Sequence, residues 1–352
     1  MKKLSTLQLA LSYVGAFLGV GFISGQELWQ FFACFGTVGF LGFFLSSVIF
    51  FIVTYALLQL VSRSGQEEVG KLMTPKGHPG LASVVNIMQI GLLFGVSVIM
   101  TAGAASLASQ LLGVPKWIAA AVFTLIVMLA AMTGMQGLVA VFSFIVPVTT
   151  VCAVILGGAA IIRSGFTFSP AVGGVADLVP HWAAGFPTYA AYNLMGTVSV
   201  MVPFARAIPD KRTLRWGLGL GSGILVLLAW SIISAIAVSP EAAASELPMA
   251  MIAAQLHPAF EAGYGALMGL GMFTCSLATV TAAVNQISVK WKKAAAKPRR
   301  VAAAMLSASY LLSLVGFGDL IGVIYPVFGY ISIPFLCFIV INRLKLSRSP
   351  GK

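Results

Sequence analysis

The chain has 352 residues, of which 59% are hydrophobic and only 9% charged, with a mean hydropathy of +0.99. That combination excludes a soluble globular domain and describes a polytopic membrane protein. The formal net charge of +12 would suit a nucleic-acid binder, but no domain-sized soluble segment carries it, so no nucleic-acid role is expected.

Apolar runs separated by polar or Gly/Pro breaks predict ten spans, at about 7–35, 37–62, 81–113, 115–133, 138–162, 182–207, 215–238, 260–288, 301–317 and 320–342. Met1-Lys2-Lys3 mimics a secretory signal, but the run after it continues past any cleavage point and contains Glu27, so it reads as an uncleaved first span. With the N-terminus inside, all but two of the 21 Lys and Arg residues fall in inner segments, the exceptions being Lys116 and Arg163. The positive-inside rule therefore places both termini in the cytoplasm and predicts a multi-pass protein of a bacterial cytoplasmic (inner) membrane. Lys290 to Arg300 then acts as an orientation signal that also meets anionic lipid. Cys34, Cys152, Cys275 and Cys337 lie in apolar runs without paired spacing and read as small core residues. His78, His181 and His257 map to loops on both sides and form no metal site.

The first span is unlike an anchor. Its centre reads Gly19-Val20-Gly21-Phe22-Ile23-Ser24-Gly25-Gln26-Glu27. Irregular backbone at membrane depth is tolerated only where protein buries it or a watery cavity lines it. The expectation is a helix that breaks between Gly19 and Gly25 and restarts with Gln26 and Glu27 in its first turn.

Further along, residues 164–181 form an outer loop, while Ser245-Glu246-Leu247-Pro248 starts a short apolar helix ending at His257-Pro258. The segment 240–258 reads either as a lid-like element over the outer mouth or as an interfacial helix facing lipid.

Span six carries Tyr189, Tyr192, Asn193 and Gly196 near its midpoint. With ten spans, the first and sixth are corresponding members of two five-span halves of opposite orientation, residues 1–163 and 182–343, followed by a tail at 344–352. Interrupted spans at matching places point to a transporter binding site at the midplane. A restarted helix offers N–H groups and an interrupted one offers carbonyls. The N–H groups of Ser24, Gly25 and Gln26 would hold a carboxylate, and the carbonyls of Ala191, Tyr192 and Asn193 an ammonium group. That pairing suits a zwitterion such as an amino acid.

The stretch from Gly19 to Glu27 followed by Leu28-Trp29-Gln30-Phe31-Phe32 resembles the first span of the YkvI-type amino-acid permease family. The resemblance extends over most of the chain, including Glu246-Leu247-Pro248. It implies the amino acid-polyamine-organocation superfamily and its all-α LeuT-type fold of five plus five inverted spans, with helices one and six broken. The breaks would correspond to Gly21–Gly25 and Tyr192–Gly196. Candidate substrate-binding residues are Gly19, Gly21, Phe22, Ser24, Gly25, Gln26, Ala191, Tyr192, Asn193 and Gly196. In LeuT-type transporters, hydroxyls of span eight join carbonyls of span one around sodium, which here would engage Ser276 and Thr279. The rival reading is that these hydroxyls bond back to their own helix.

Glu27 is the acidic residue placed inside a span, and three roles stay open for it: a proton-titrating switch, a ligand for a cation or substrate amine, and a cap on backbone N–H groups. Gln89 and Gln110 read as helix glue. Tyr189, Tyr192, Phe22 and Trp29 either flank the substrate or pack the core. The expected function is secondary active transport of an amino acid or similar small zwitterion by alternating access, coupled to H⁺ or Na⁺, with no other cofactor and no enzymatic role. The alternative is a ligand-binding receptor or sensor subunit of the same fold that does not transport.

Overall fold

The computed structural model describes residues 3–133, 138–165, 171–290 and 296–348, and among these it contains helices and no strand. In chain order they are α1 (Thr6–Phe17), α2 (Val20–Ser24), α3 (Gln26–Phe31), α4 (Thr37–Ser64), α5 (Val69–Leu72), α6 (Pro79–Leu112), α7 (Lys116–Thr133), α8 (Leu138–Ser164) and α9 (Trp182–Met201). They continue with α10 (Lys211–Ala237), α11 (Pro240–Ala243), α12 (Pro248–Leu256), α13 (Pro258–Lys290), α14 (Pro298–Ser313) and α15 (Phe317–Arg348). Each of the predicted apolar runs is helical. Within the described residues, six stretches are long and apolar enough to cross a membrane unaided: Thr37–Ser64, Pro79–Leu112, Pro147–Ser164, Lys211–Ala237, Pro258–Ser288 and Phe317–Leu346. The uncharged loop expected at 134–137 lies outside the described residues.

The first run is interrupted twice. Ser5 and Gln8 close a reciprocal capping box at the start of α1. The helix stops at Phe17, Leu18 leaves helical geometry, and Gly19 begins α2 in extended conformation. Gly25 then takes φ +84°, a left-handed conformation open to glycine at little cost, and turns the chain into α3. The restart with Gln26 and Glu27 in the first turn is as expected.

Span six is different. α9 runs without interruption from Trp182 to Met201, through Tyr192 and Gly196, so the expected second break at Tyr192–Gly196 is not present. In a continuous α-helix the carbonyls of Ala191, Tyr192 and Asn193 face the N–H groups four residues on, and Asn193 itself donates to the Tyr189 carbonyl at 3.1 Å. Nothing at Gly196 forces a break. The irregularities fall on either side instead: Pro187 within the helix, which has no N–H to donate, and a 3₁₀ segment at Val202–Ala207.

α1–α3 sit at the centre. α1 packs against α10 and α9, α2 against α13, α12 and α8, and α3 against α9, α10 and α15. Around them α4 packs on α9 and α10, α6 on α13 and α14, and α15 on α9, α4 and α6. Glycines set several of these approaches. A Cβ on Gly39 would lie 2.1 Å from the Phe32 carbonyl oxygen, and one on Gly157 2.2 Å from Ser231 Oγ.

Polar contacts gather at the two ends of the bundle in the sets that the charge pattern separates. Leu4 N–H donates to the Ala207 carbonyl at 2.9 Å, Arg206 pairs with Glu67 at 2.6 Å, and Arg343 donates to Gln59 Oε1 at 2.7 and 2.9 Å. Asn342 joins the Leu72 and Thr74 carbonyls. All of these segments were assigned inside. Lys116, Arg163, Glu246 and Gln255 meet at the other end.

Gly39→Ala forces a methyl into backbone, so a stability loss in the upper part of about 1–3 kcal/mol is expected. Gly219, in the interior of α10, has nothing within 4 Å of a built Cβ, and Gly219→Ala should gain up to about 1 kcal/mol from helix propensity. Opposite shifts in Tm of the detergent-purified variants would bear out this packing; similar shifts would not.

Candidate functional site

The double interruption frees backbone groups in the middle of the bundle, and side chains from elsewhere take them up. Thr197 Oγ1 on α9 donates to the Ala16 carbonyl at 3.1 Å, and Tyr264 on α13 donates its hydroxyl to the Ile23 carbonyl at 2.7 Å. Ser24 Oγ donates to the Gly21 carbonyl at 3.0 Å and accepts from Gln26 N–H at 3.3 Å. Gly25 N–H donates to the Phe22 carbonyl at 3.1 Å. Two of the N–H groups expected to hold a carboxylate, those of Gly25 and Gln26, are therefore engaged inside the break itself.

Glu27 is the chemical centre of this region. Its side chain is 3% exposed, and no Lys, Arg or His among the described residues forms an ion pair with it. The Tyr192 hydroxyl donates to Glu27 Oε2 at 2.5 Å. Tyr192 and Tyr325 stack with ring centroids 4.3 Å apart at 7°, and Tyr189 meets Tyr192 edge-on at 5.4 Å. Phe31 closes the group against Tyr189 at 5.3 Å. The carboxylate lies directly over Gly21, where a built Cβ would be 1.9 Å from Glu27 Oε1, while Gly19 is 4.0 Å away. Gly21 is thus small because Glu27 occupies its side-chain space. Removing a carboxylate from water without a counter-charge is costly, so whatever neutralises Glu27 governs this site.

Of the residues expected to bind substrate, the structure brings together Gly21, Ser24, Gly25, Gln26, Glu27 and Tyr192. Phe22 is buried edge-on against Phe43 at 5.8 Å, a core contact. Gly196 faces open packing, with Leu92 at 4.0 Å from a built Cβ. Ala191 is buried in the continuous α9, and Asn193 is spent on its own helix. Ser276 shares a 3.3 Å contact with Ser97 on α6, which Ser309 on α14 also joins at 3.3 Å, and Thr279 bonds back to the Cys275 and Ser276 carbonyls. These hydroxyls bond among α6, α13 and α14, as the helix-bonded reading of the pair describes. Gln89 does act as glue, donating to Ser199 Oγ at 2.9 Å and the Met195 carbonyl at 3.3 Å. Tyr325, Tyr264 and Thr197 were missed. Each is one hydroxyl in an apolar helix, and only the tertiary fold aims it at the break.

α12 covers the break. Leu247, Met249, Ala250, Ile252 and Ala253 are buried, and Met249 Cγ lies 3.2 Å from a Cβ built on Gly25. This supports the lid reading over a lipid-facing helix. Both ends of α12 are tied by the two basic residues that charge counting left outside. Lys116 pairs with Glu246 at 2.6 Å while Ser106 donates to the same oxygen at 2.6 Å. Arg163 donates to the Gln255 carbonyl, and Gln255 is further held by Ser239 at 3.0 Å and Glu241 at 3.0 Å. A cavity of about 300 Å³ lies beside Lys116 and Ser106, and one of about 410 Å³ beside Arg163 and Gln255.

No family model matches the chain. It is 25% identical to the uncharacterized membrane protein YkvI of Bacillus subtilis (strain 168), over 99% of both chains. Among solved structures, inward-facing Mhp1 superimposes with a TM-score of 0.66 at 10% identity, covering 97% of this chain and 77% of that one. MhsT in complex with L-phenylalanine gives a TM-score of 0.61 at 14% identity, covering 100% of this chain and 93% of that one. The chain has the LeuT-type transporter fold. It is a multi-pass membrane protein whose first helix is broken at Leu18–Gly19 and again at Gly25.

Gly21→Ala should expel the Glu27 carboxylate from its place under Tyr192 and lower Tm by several degrees, whereas Gly196→Ala should be near neutral; thermal melts of the two variants compare them directly. At the lid, Glu246→Gln removes a half-exposed ion pair worth about 0–1 kcal/mol. Amide exchange over residues 248–256 is expected to quicken by up to roughly fivefold, with exchange in α6 unchanged.

Proposed function

We propose that this chain is a secondary active transporter of a small zwitterion, an amino acid in the first instance, and that Glu27 carries the coupling proton. The observation that carries this reading is the Tyr192–Glu27 bond: a buried carboxylate with no cationic partner among the described residues, at the restart of a broken helix, is held from the helix that stands as its counterpart in the other half. Rocking of one helix bundle against the other makes or breaks that bond as access alternates. A carboxylate that exchanges its partner between a tyrosine and water is suited to load and release a proton. The LeuT-type fold supports transport, and MhsT, which shares the fold, was solved with L-phenylalanine. Protons are favoured over Na⁺ as the coupling ion because Glu27 is a buried ionisable group held by a neutral hydroxyl. In this reading the protein lies in the cytoplasmic membrane with both termini inside.

Reconstitution into proteoliposomes tests it. A panel of radiolabelled amino acids should include one whose uptake is driven by an inward proton gradient. Glu27→Gln should abolish that drive, a loss of tenfold or more, while exchange of labelled for unlabelled substrate across the membrane persists. Absence of any uptake by folded protein under proton and sodium gradients alike would remove the transport reading. Gradient-driven uptake unaltered in Glu27→Gln would remove the proton role.

A further inference from the structure

α10 is long and apolar enough to span the membrane, and its two faces differ. One face seats α1: a Cβ on Gly217 would come within 2.8 Å of Leu9, and one on Gly221 within 2.6 Å of Tyr13. The other is bare. Arg212, Trp216, Gly219, Gly223, Leu227 and Trp230 follow one another at spacings of three or four, which makes a single stripe along the helix, and all of them are exposed. On a spanning helix such a stripe meets lipid. Trp216, 64% exposed, and Trp230 stand about 21 Å apart along the axis, more than the roughly 15 Å of hydrocarbon in one leaflet. Between them Gly219 and Gly223 bring no side chain, and nothing lies within 4 Å of a Cβ built on either. The stripe is therefore a shallow trough bounded by two indole rings.

The head of the trough is basic. Lys211, Arg212 and Arg215 are exposed, and none of them is in an ion pair among the described residues. Asp210, the acidic residue beside them, caps the helix, its Oδ1 accepting from Thr213 N–H at 2.6 Å. Glu67 and Glu68, in the loop after α4, are paired with Arg206 and Lys71. The bond from Leu4 N–H to the Ala207 carbonyl also brings the start of the chain, with exposed Lys3, to the segment that leads into α10. Cations without a protein partner, at the end of a lipid-facing stripe and one turn from an exposed tryptophan, favour negative charge carried on an apolar tail. A second copy of the chain fits poorly, because a two-fold contact along this face would set the same cations against each other. We propose that the bare face of α10 binds an anionic phospholipid, with its phosphate at Lys211, Arg212 and Arg215 and an acyl chain along Gly219 and Gly223. This place is separate from the Lys290 to Arg300 cluster. Lipid bound here holds α10 from the side opposite Leu9 and Tyr13, and so steadies the α1–α10 pair.

The test melts the full chain in detergent with added phosphatidylcholine or phosphatidylglycerol of the same acyl chains. Phosphatidylglycerol is expected to raise Tm by roughly 2–4 °C more than phosphatidylcholine does. The Lys211→Gln/Arg212→Gln/Arg215→Gln variant should lose that difference, and Arg299→Gln/Arg300→Gln, which removes charge from the start of α14, should keep it. Arg212→Gln alone should lose part of it and serves if the triple variant does not fold. Equal shifts with the two lipids, a difference that survives the α10 substitutions, or one lost equally in the α14 variant overturns the site and leaves these residues as an orientation signal. Glycerol 1-phosphate is the control for the headgroup alone: an equal shift with it overturns the lipid in favour of a free phosphate. Because no transport is measured, failure here leaves the proposed function standing.

Discussion

The constraint on which this molecule turns is that backbone polar groups cannot be left unpaired inside a membrane protein. A first helix interrupted at Leu18–Gly19 and again at Gly25 exposes such groups at the centre of the bundle. The structure meets the cost with single hydroxyls sent from other helices: Thr197 to the Ala16 carbonyl and Tyr264 to the Ile23 carbonyl. These bonds tie α1–α3 to α9 and α13, so the break is also the point where the helices are held in register. The same logic places Tyr192 on Glu27. A continuous first helix would need none of these partners, and the bundle would lose the contacts that specify its centre.

Small residues make that centre possible. Gly21 leaves room for the Glu27 carboxylate, Gly25 supplies a left-handed turn beneath Met249 of the lid, and Gly318 and Gly322 let the amides of α3 approach α15. Each glycine answers a different demand, namely space for a side chain, backbone conformation and helix approach. Aromatic rings fill what remains. Phe31, Tyr189, Tyr192 and Tyr325 pack edge-on or stacked, bringing large apolar surfaces to a carboxylate that the Tyr192 hydroxyl keeps hydrogen-bonded.

At the end of the bundle away from the chain termini, charge does a second kind of work. Two basic residues stand apart from the others, and both hold α12: Lys116 through Glu246 at its start and Arg163 through the Gln255 carbonyl at its end. The second contact also places a cation at the negative end of a short helix. A segment too short to span the membrane is thereby held over the Gly25 turn, next to two cavities lined by its anchors.

Much of this was legible in the residues alone. Hydropathy marked the helical runs, the distribution of Lys and Arg separated the two ends, and the run Gly19 to Glu27 announced a break, because glycine, serine and a carboxylate have no other reason to share an apolar span. What the residues could not decide was where backbone groups find partners. Tyr192–Gly196 has the same small and polar composition as a break, yet α9 passes straight through it, since Asn193 and the helix carbonyls satisfy one another locally. Ser276 and Thr279 share a helix face, but only the fold sets Ser276 beside Ser97 while Thr279 bonds back to its own helix. Composition and periodicity therefore determined that this is a helical membrane protein with a broken first helix and a carboxylate at its restart. Tertiary structure alone decided which tyrosine reaches that carboxylate and which hydroxyls close the break, because those outcomes depend on groups more than a hundred residues apart meeting within about 3 Å, the reach of a hydrogen bond.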